Sequence, residues 1–411
     1  MDTAHLSALL LASLVLFGCG AGEPQWSTDG AQVTYVSCDE SLVYKAVQYT
    51  VKTGESEILL ELQAAAPKEF DLSESVGSLY DNAVENGDSP GKALAGSLVM
   101  GLIGGGMAAP FMGVASASTL LLHPSGEDAG QGWFIQDGNF RVCQMGDGSE
   151  IEPEGLASLV ESAQWEFGGI RDGSVFYSRM AKAHKGEALL VGYDIDNESV
   201  VRQETKGIGA GDHILLACSE GRYVVGQYLR DKYSIWFAER SGDLPLGFEE
   251  IYVDWDPTEF PTAALHGDLV AVGVAGDDSG KEASVRVIDV RHKDKPHRTF
   301  SIPGEALCME FCFERKGEAL WAFPLIAASD GATVSPDSDL FVRIDFADES
   351  VECWSAGDFK IEEGISAVVA SVLSPIEDII ALQLYPLPGQ ASLLLLDLRD
   401  EEPSAQLIGE N

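Results

Sequence analysis

Trp26-Ser27-Thr28-Asp29-Gly30-Ala31-Gln32-Val33-Thr34-Tyr35-Val36-Ser37 is a polar corner that turns directly into a strand. Ser, Asp and Gly are turn formers with separate physical reasons for it, and Val, Thr and Tyr favour the pleated surface that follows. A second strand over residues 43–51 and the turn Lys52-Thr53-Gly54-Glu55 complete the unit. The same sentence recurs down the chain. Gly132 leads Trp133-Phe134-Ile135-Gln136, then Asp137-Gly138 and residues 139–145, a strong hairpin signature. Gly173 leads 174–178 and then 188–193; Gly221 leads 223–228 and then 233–239. Gly267 leads 269–274 and then 285–290; Gly317 leads 319–323 and then 340–345. Ser374-Pro375 with Glu377 introduces 379–384, followed by 393–398.

From Gly132 onward the anchors are 41, 48, 46, 50 and 60 residues apart, each interval long enough for one four-stranded sheet. Seven such units arranged radially make an all-β β-propeller; six is the alternative count, and a β-sandwich or two smaller β domains would show similar alternation. The first corner resembles the W-S-P-D-G-strand repeat of TolB-type, WD-like propellers. Ser374-Pro375 and Asp397-Leu398 fit the same pattern, and the other copies are looser. That resemblance implies the architecture of residues 26–411 and carries no activity with it.

The interval from Gly30 to Gly132 is 102 residues, so 65–117 reads as an insertion after the first blade. Residues 68–86 pattern as an amphipathic helix with Phe70, Leu72, Val76, Leu79 and Val84 on one face. Residues 93–122 carry no charge, and Ser97, Gly101, Gly105, Ala109, Gly113 and Ala117 recur at every fourth position. Such a stripe gives a helix a smooth face for close backbone approach, and Pro110 would kink or end it. A single membrane span would put the first blade on the wrong side of the bilayer, and a two-span hairpin needs about 40 apolar residues. Packing on the propeller and contact with a membrane or partner remain. Gly101, Gly105, Ala109 and Gly113 are the interaction candidates.

At the N-terminus, residues 6–18 are uncharged and run into Cys19. This run is too short for a stable bilayer span and long enough for a secretory h-region. Leu16-Phe17-Gly18-Cys19 resembles a bacterial lipobox, which implies a signal peptide over 1–18, lipid attachment at Cys19 and a tether over 19–25. Met1 to His5 has no Lys or Arg, a departure from such signals. Acyl chains on Cys19 would hold the chain on a membrane, and residues 20–25 reach about 20 Å at full stretch. The expected location is the bacterial cell envelope, outer membrane first, with an envelope protein or small ligand as partner.

Charge narrows the partners further. With 26 basic against 66 acidic residues the formal net charge is −40. Phosphate backbones would be repelled, so no nucleic-acid partner is expected. Six cysteines remain beside Cys19, permitting up to three disulfides. Cys308 and Cys312 sit four residues apart on one alternating strand, about 13 Å, beyond disulfide reach. Cys308, Glu310 and Cys312 share a face, but ordinary strand packing is the expected reading there.

The spacing G-x-S-x-G occurs as Gly87-Asp88-Ser89-Pro90-Gly91, but it follows a helical pattern and not the strand that a nucleophile elbow requires; no H-E-x-x-H motif occurs, and no appended α/β-hydrolase domain is expected. His292 and His297 bracket a segment that reads as a solvated loop. Asp194-Ile195-Asp196-Asn197-Glu198 lacks the glycine of a calcium loop, and Gly104-Gly105-Gly106 lacks the Lys of a phosphate loop. No catalytic, cofactor or metal site is expected. The reading favours a binding module; the alternative is a hydrolase or lyase acting on glycans or peptides at the channel mouth.

Overall fold

The computed structural model describes the chain from Pro24 to Gly409 apart from residues 64–118 and a set of shorter connections; across most of 119–205 it describes strands without their side chains. The described residues form seven sheets, six of four antiparallel strands and one of five. The sheets follow chain order as blades 1 to 7, over residues 25–63, 119–151, 165–206, 212–254, 262–301, 306–355 and 368–408, the arrangement of a seven-bladed β-propeller. The expected signal peptide, Cys19 and its tether up to Glu23, and the helical insertion with Gly101, Gly105, Ala109 and Gly113, lie outside the described residues.

Blade 6 shows how sequence becomes blade. Its strands are Ala306–Phe313, Ala319–Ile326, Asp339–Asp345 and Val351–Ser355, from the propeller centre outward. Alternate residues of a strand point to opposite faces, and here both faces are covered. Leu320 and Ala322 bury into the core shared with blade 5, while Trp321 and Phe323 bury into the core shared with blade 7. That double burial explains why the strand reads as a continuous apolar run, and not as a half-polar one.

In blades 1, 4, 5 and 6 the repeating glycine occupies the turn between the first and second strands, whereas Gly132 lies inside the strand Gln131–Gln136 and blade 7 turns at Ser374 to Asp378 without a glycine. Gly30, Gly221, Gly267 and Gly317 all have φ between 55° and 75°, the left-handed region that glycine enters without penalty. Gly317 has a second constraint, because a Cβ there would stand 2.6 Å from the His266 ring of blade 5. The strands that follow the glycines in sequence are therefore the second and third of each blade. The inner and outer strands carry weaker signals. The fifth strand of blade 3, Leu246–Gly247, is lent in parallel by a connection of blade 4.

The ring closes between blade 7 (Val368–Leu373, Ile379–Leu384, Leu393–Asp397 and Ser404–Ile408) and blade 1 without sharing a strand. Blade 1 has an inner strand of only two residues, Gln25–Trp26, pairing Thr34 and Val33. Further along the second strand, Gln32–Cys38, the backbone of Val36 is served from across the seam. Its N–H donates to Gln383 Oε1 at 2.9 Å, and Gln383 Nε2 donates back to Val36 O at 2.8 Å. Gln383, 0% exposed, also donates to Leu384 O and Ser392 O. Trp26 Nε1 donates to Val372 O at 3.1 Å. Around these bonds Trp26, Val33, Tyr35 and Tyr49 pack with Ile379, Ala381, Leu393 and Leu395.

Candidate functional site: a groove between blades 6 and 7

The other flank of blade 7 is not sealed throughout. Across blade 6, the face turned to blade 7 carries Glu310 and Cys312, then Trp321 and Phe323, then Phe341 and Arg343, then Glu352 and Trp354, in cross-strand register. The apolar members meet Ile380, Leu382, Leu394 and Leu396 of blade 7 in one core. Outward of that core the blades diverge and leave a groove of about 680 Å³, within the range of ligand sites.

Its wall is aromatic and braced. Trp321, 1% exposed, stacks on half-buried Trp354 with centroids 5.3 Å apart and planes at 27°. The two belong to the second and fourth strands of the blade, and their rings meet over the intervening strand Asp339–Asp345. Phe359 closes one end, edge-on to Phe341 at 4.9 Å. Glu314, in the glycine turn, accepts from Trp321 Nε1 at 3.1 Å and from Arg343 Nε at 2.8 Å. Arg343 also pairs with Asp345 at 3.4 Å and lies 3.9 Å from Glu352. Its guanidinium is held further towards the charged form, first by the bond to Glu314 and then by the surrounding carboxylates, against partial burial.

The cations here are mostly engaged with the protein itself. Arg315 crosses to the corner of blade 7, donating to Pro375 O at 2.5 Å, Ser374 O at 2.7 Å, Glu377 O at 2.8 Å and Asp378 Oδ1 at 3.2 Å. Arg399 is engaged by Asp397 and by Glu377 at 2.7 Å. The carboxylates of Glu318, Asp400 and Glu402 line the groove without a hydrogen bond to another described residue, and Asp400 lies in the field of Arg399. The lining holds seven carboxylates against three cationic groups, so its local field is negative.

The other motifs singled out in the sequence resolve as structure. Cys312 is buried in the blade 6 and 7 core, Glu310 accepts from Ser371 Oγ at 3.0 Å, and no disulfide joins Cys38, Cys312 or Cys353. Among the described residues no three His, Cys, Asp or Glu side chains converge on a metal position. His292 sits exposed in an outer connection of blade 5, its Nδ1 2.8 Å from Asp289 Oδ2. Burial opposes ionisation of Asp289, but bonds from His292 and two backbone N–H groups outweigh it and lower its pKa. His297 is held towards its neutral form by burial and by nearby Arg286. Asp194 ends the strand Leu189–Asp194, and 195–198 lie outside the described residues.

General-acid chemistry needs a carboxylate held above its ordinary range. Among the described residues every carboxylate with a displaced pKa is displaced downward: Asp29, Asp39, Glu250, Asp289, Asp348, Asp358 and Asp397. The groove itself escaped sequence reading, although one signal was present. Arg343 interrupts the apolar strand Leu340-Phe341-Val342-Arg343-Ile344, and a charge in a doubly covered strand demands a partner.

No protein-family model matches the chain, and no curated protein matches its sequence. Solved structures do match. A puromycin-hydrolyzing peptidase of Mycobacterium tuberculosis superposes with TM-score 0.53 at 9% identity over 97% of this chain and 55% of that one. The Dos1 propeller gives 0.48 at 10% over 89% of each chain. An oligogalacturonate lyase in complex with manganese gives 0.46 at 9% over 96% and 90%. This chain spans about half the length of the peptidase. At such identities the likeness is one of fold, and it agrees with the seven sheets.

Proposed function

We propose that the chain is a lipid-anchored, extracytoplasmic β-propeller that serves as a protein- or ligand-binding module at the bacterial cell envelope. The observation that carries the binding role is the groove between blades 6 and 7, an aromatic-walled space lined by seven carboxylates against three cationic groups. The address rests on sequence. An apolar run ends at Cys19, and the first strand, Gln25–Trp26, begins six residues later. The corner at Ser27 to Gly30 supports a TolB-type repeat, with Ser27 Oγ donating to Asp29 Oδ1 at 2.7 Å and Gly30 N to Ser27 O at 2.9 Å. On this reading Cys19 carries the lipid, and the outer membrane is the home membrane. The partner is an envelope protein or small ligand, with no cofactor required.

The test is a mild-detergent pull-down of tagged protein from its own membranes, comparing the intact chain, a Cys19→Ala variant and a chain lacking residues 92–117. Cys19→Ala should move the protein to the soluble fraction. The intact chain should bring down a stoichiometric partner, and the deletion should stay folded but change that association. A soluble wild type, or no partner from any sample, would overturn the proposal.

A further inference from the structure

The binding proposal leaves the occupant of the groove undefined, and the groove's chemistry defines it. A single metal ion is a poor fit, because among the described residues no three ligating side chains converge. The carboxylates are instead distributed: Glu318 and Glu352 on blade 6, Asp400 and Glu402 on blade 7. Charges spread along a groove match an occupant with several separated cations. The aromatic wall adds a second preference, since a guanidinium or ammonium over a Trp face is attracted to the ring. Two structural facts favour an extended occupant. The groove lies beside Val351–Ser355, the outer strand of blade 6, whose far edge pairs with no other strand of its sheet. Arg315 is held by Asp378 and blade 7 carbonyls and Arg399 mainly by Asp397 and Glu377, so Glu318 and Glu402 stay open to an incoming cation and Glu352 and Asp400 are only partly compensated, by Arg343 and Arg399.

We infer that the groove between blades 6 and 7 takes an extended cationic peptide segment, whose Arg or Lys groups lie over Trp354 and pair with Glu318, Glu352, Asp400 and Glu402. This rests on the binding-module reading and sharpens it. The competing explanation is generic attraction, because a chain of net charge −40 draws polycations to its whole surface.

The experiment separates the two. A fluorescein-labelled alternating Arg-Gly peptide is titrated by anisotropy into the full chain at roughly physiological salt, where the Debye length is about 8 Å. A matched Glu-Gly peptide and a neutral oligosaccharide serve as alternative ligands. Glu352→Gln combined with Glu402→Gln should weaken Arg-Gly binding about tenfold, in line with loss of complementary charge in a defined site. The same neutralisation on the exposed outer strand of blade 1, Glu55→Gln with Glu57→Gln, should change it less than about twofold, as screened distant charges do. Trp354→Ala should weaken binding as well, and Trp354→Phe, which keeps an aromatic face, should restore most of it. Equal weakening by the two paired neutralisations would overturn the inference, as would non-saturable binding or preference for the oligosaccharide. A failed peptide titration beside a successful pull-down would remove this occupant and leave the binding module standing.

Discussion

Blade 7 meets its two neighbours in opposite ways. Towards blade 1 the space is filled: Gln383 supplies the partners that a two-residue inner strand cannot give Val36, and aromatic and aliphatic side chains occupy the rest. Towards blade 6 the inner part is equally packed, but the outer part is a groove braced by Glu314, Arg343 and two stacked tryptophans. A repeated unit thus closes the ring on one flank and, on the proposed function, offers a recognition surface on the other.

The comparison is broken most severely at the seam. Gln383→Leu keeps the volume close but removes the acceptor of Val36 N–H and the donor to Val36 O, inside the protein. Each orphaned buried backbone group costs about 1–3 kcal/mol, so urea denaturation should show a loss of roughly 2–4 kcal/mol. A loss below about 0.5 kcal/mol, within the range of a neutral surface change, would mean that the seam is held by apolar packing alone.

Glu314→Gln on the groove flank should be milder. The brace is about a quarter exposed, so the charge-assisted part of the bond is screened and a loss of about 1 kcal/mol or less is expected. The sharper readout is tryptophan fluorescence, which should shift as the acceptor of Trp321 Nε1 loses its charge. An unchanged spectrum would detach Glu314 from the aromatic wall.

The smallest effect concerns pH. Asp397 is held below its ordinary value first by Arg399, and Asp289 by His292 and backbone N–H groups against its burial. A carboxylate with a depressed folded-state pKa stabilises the fold above its unfolded value, near 4, and that contribution is lost as pH falls through the folded one. The net charge of −40 works the other way, because protonation relieves repulsion. At about 1 M salt the repulsion is screened to roughly 3 Å, so stability there should fall monotonically below about pH 5. At low salt the fall should be shallower; an identical profile at both would show that self-repulsion contributes nothing.

What the sequence made legible follows the same division. Turn chemistry and doubly buried strands are local, so the glycine corners at Gly30, Gly221, Gly267 and Gly317 and the strand pairs behind them could be read directly. Gln383 was visible as the polar residue in Ile379-Ile380-Ala381-Leu382-Gln383-Leu384, but its role depends on a strand nearly 350 positions away. The groove was illegible for a related reason. Its lining comes from two repeats, with Trp354 and Glu318 on one and Asp400 and Glu402 on the other, and no spacing within one repeat encodes how the next one meets it. The proposed lipid anchor and the insertion candidates Gly101, Gly105, Ala109 and Gly113 rest on sequence pattern.

Hydrogen–deuterium exchange of the full chain, with and without the Arg-Gly peptide, bears most directly on the contrast between the two flanks. The seam segments 33–38 and 379–384 should be strongly protected and unchanged by the peptide. Segments 351–359 and 398–403 should exchange faster alone and slow when the peptide binds. Protection gained at the seam, or spread evenly over all seven blades, would contradict the assignment of recognition to the groove.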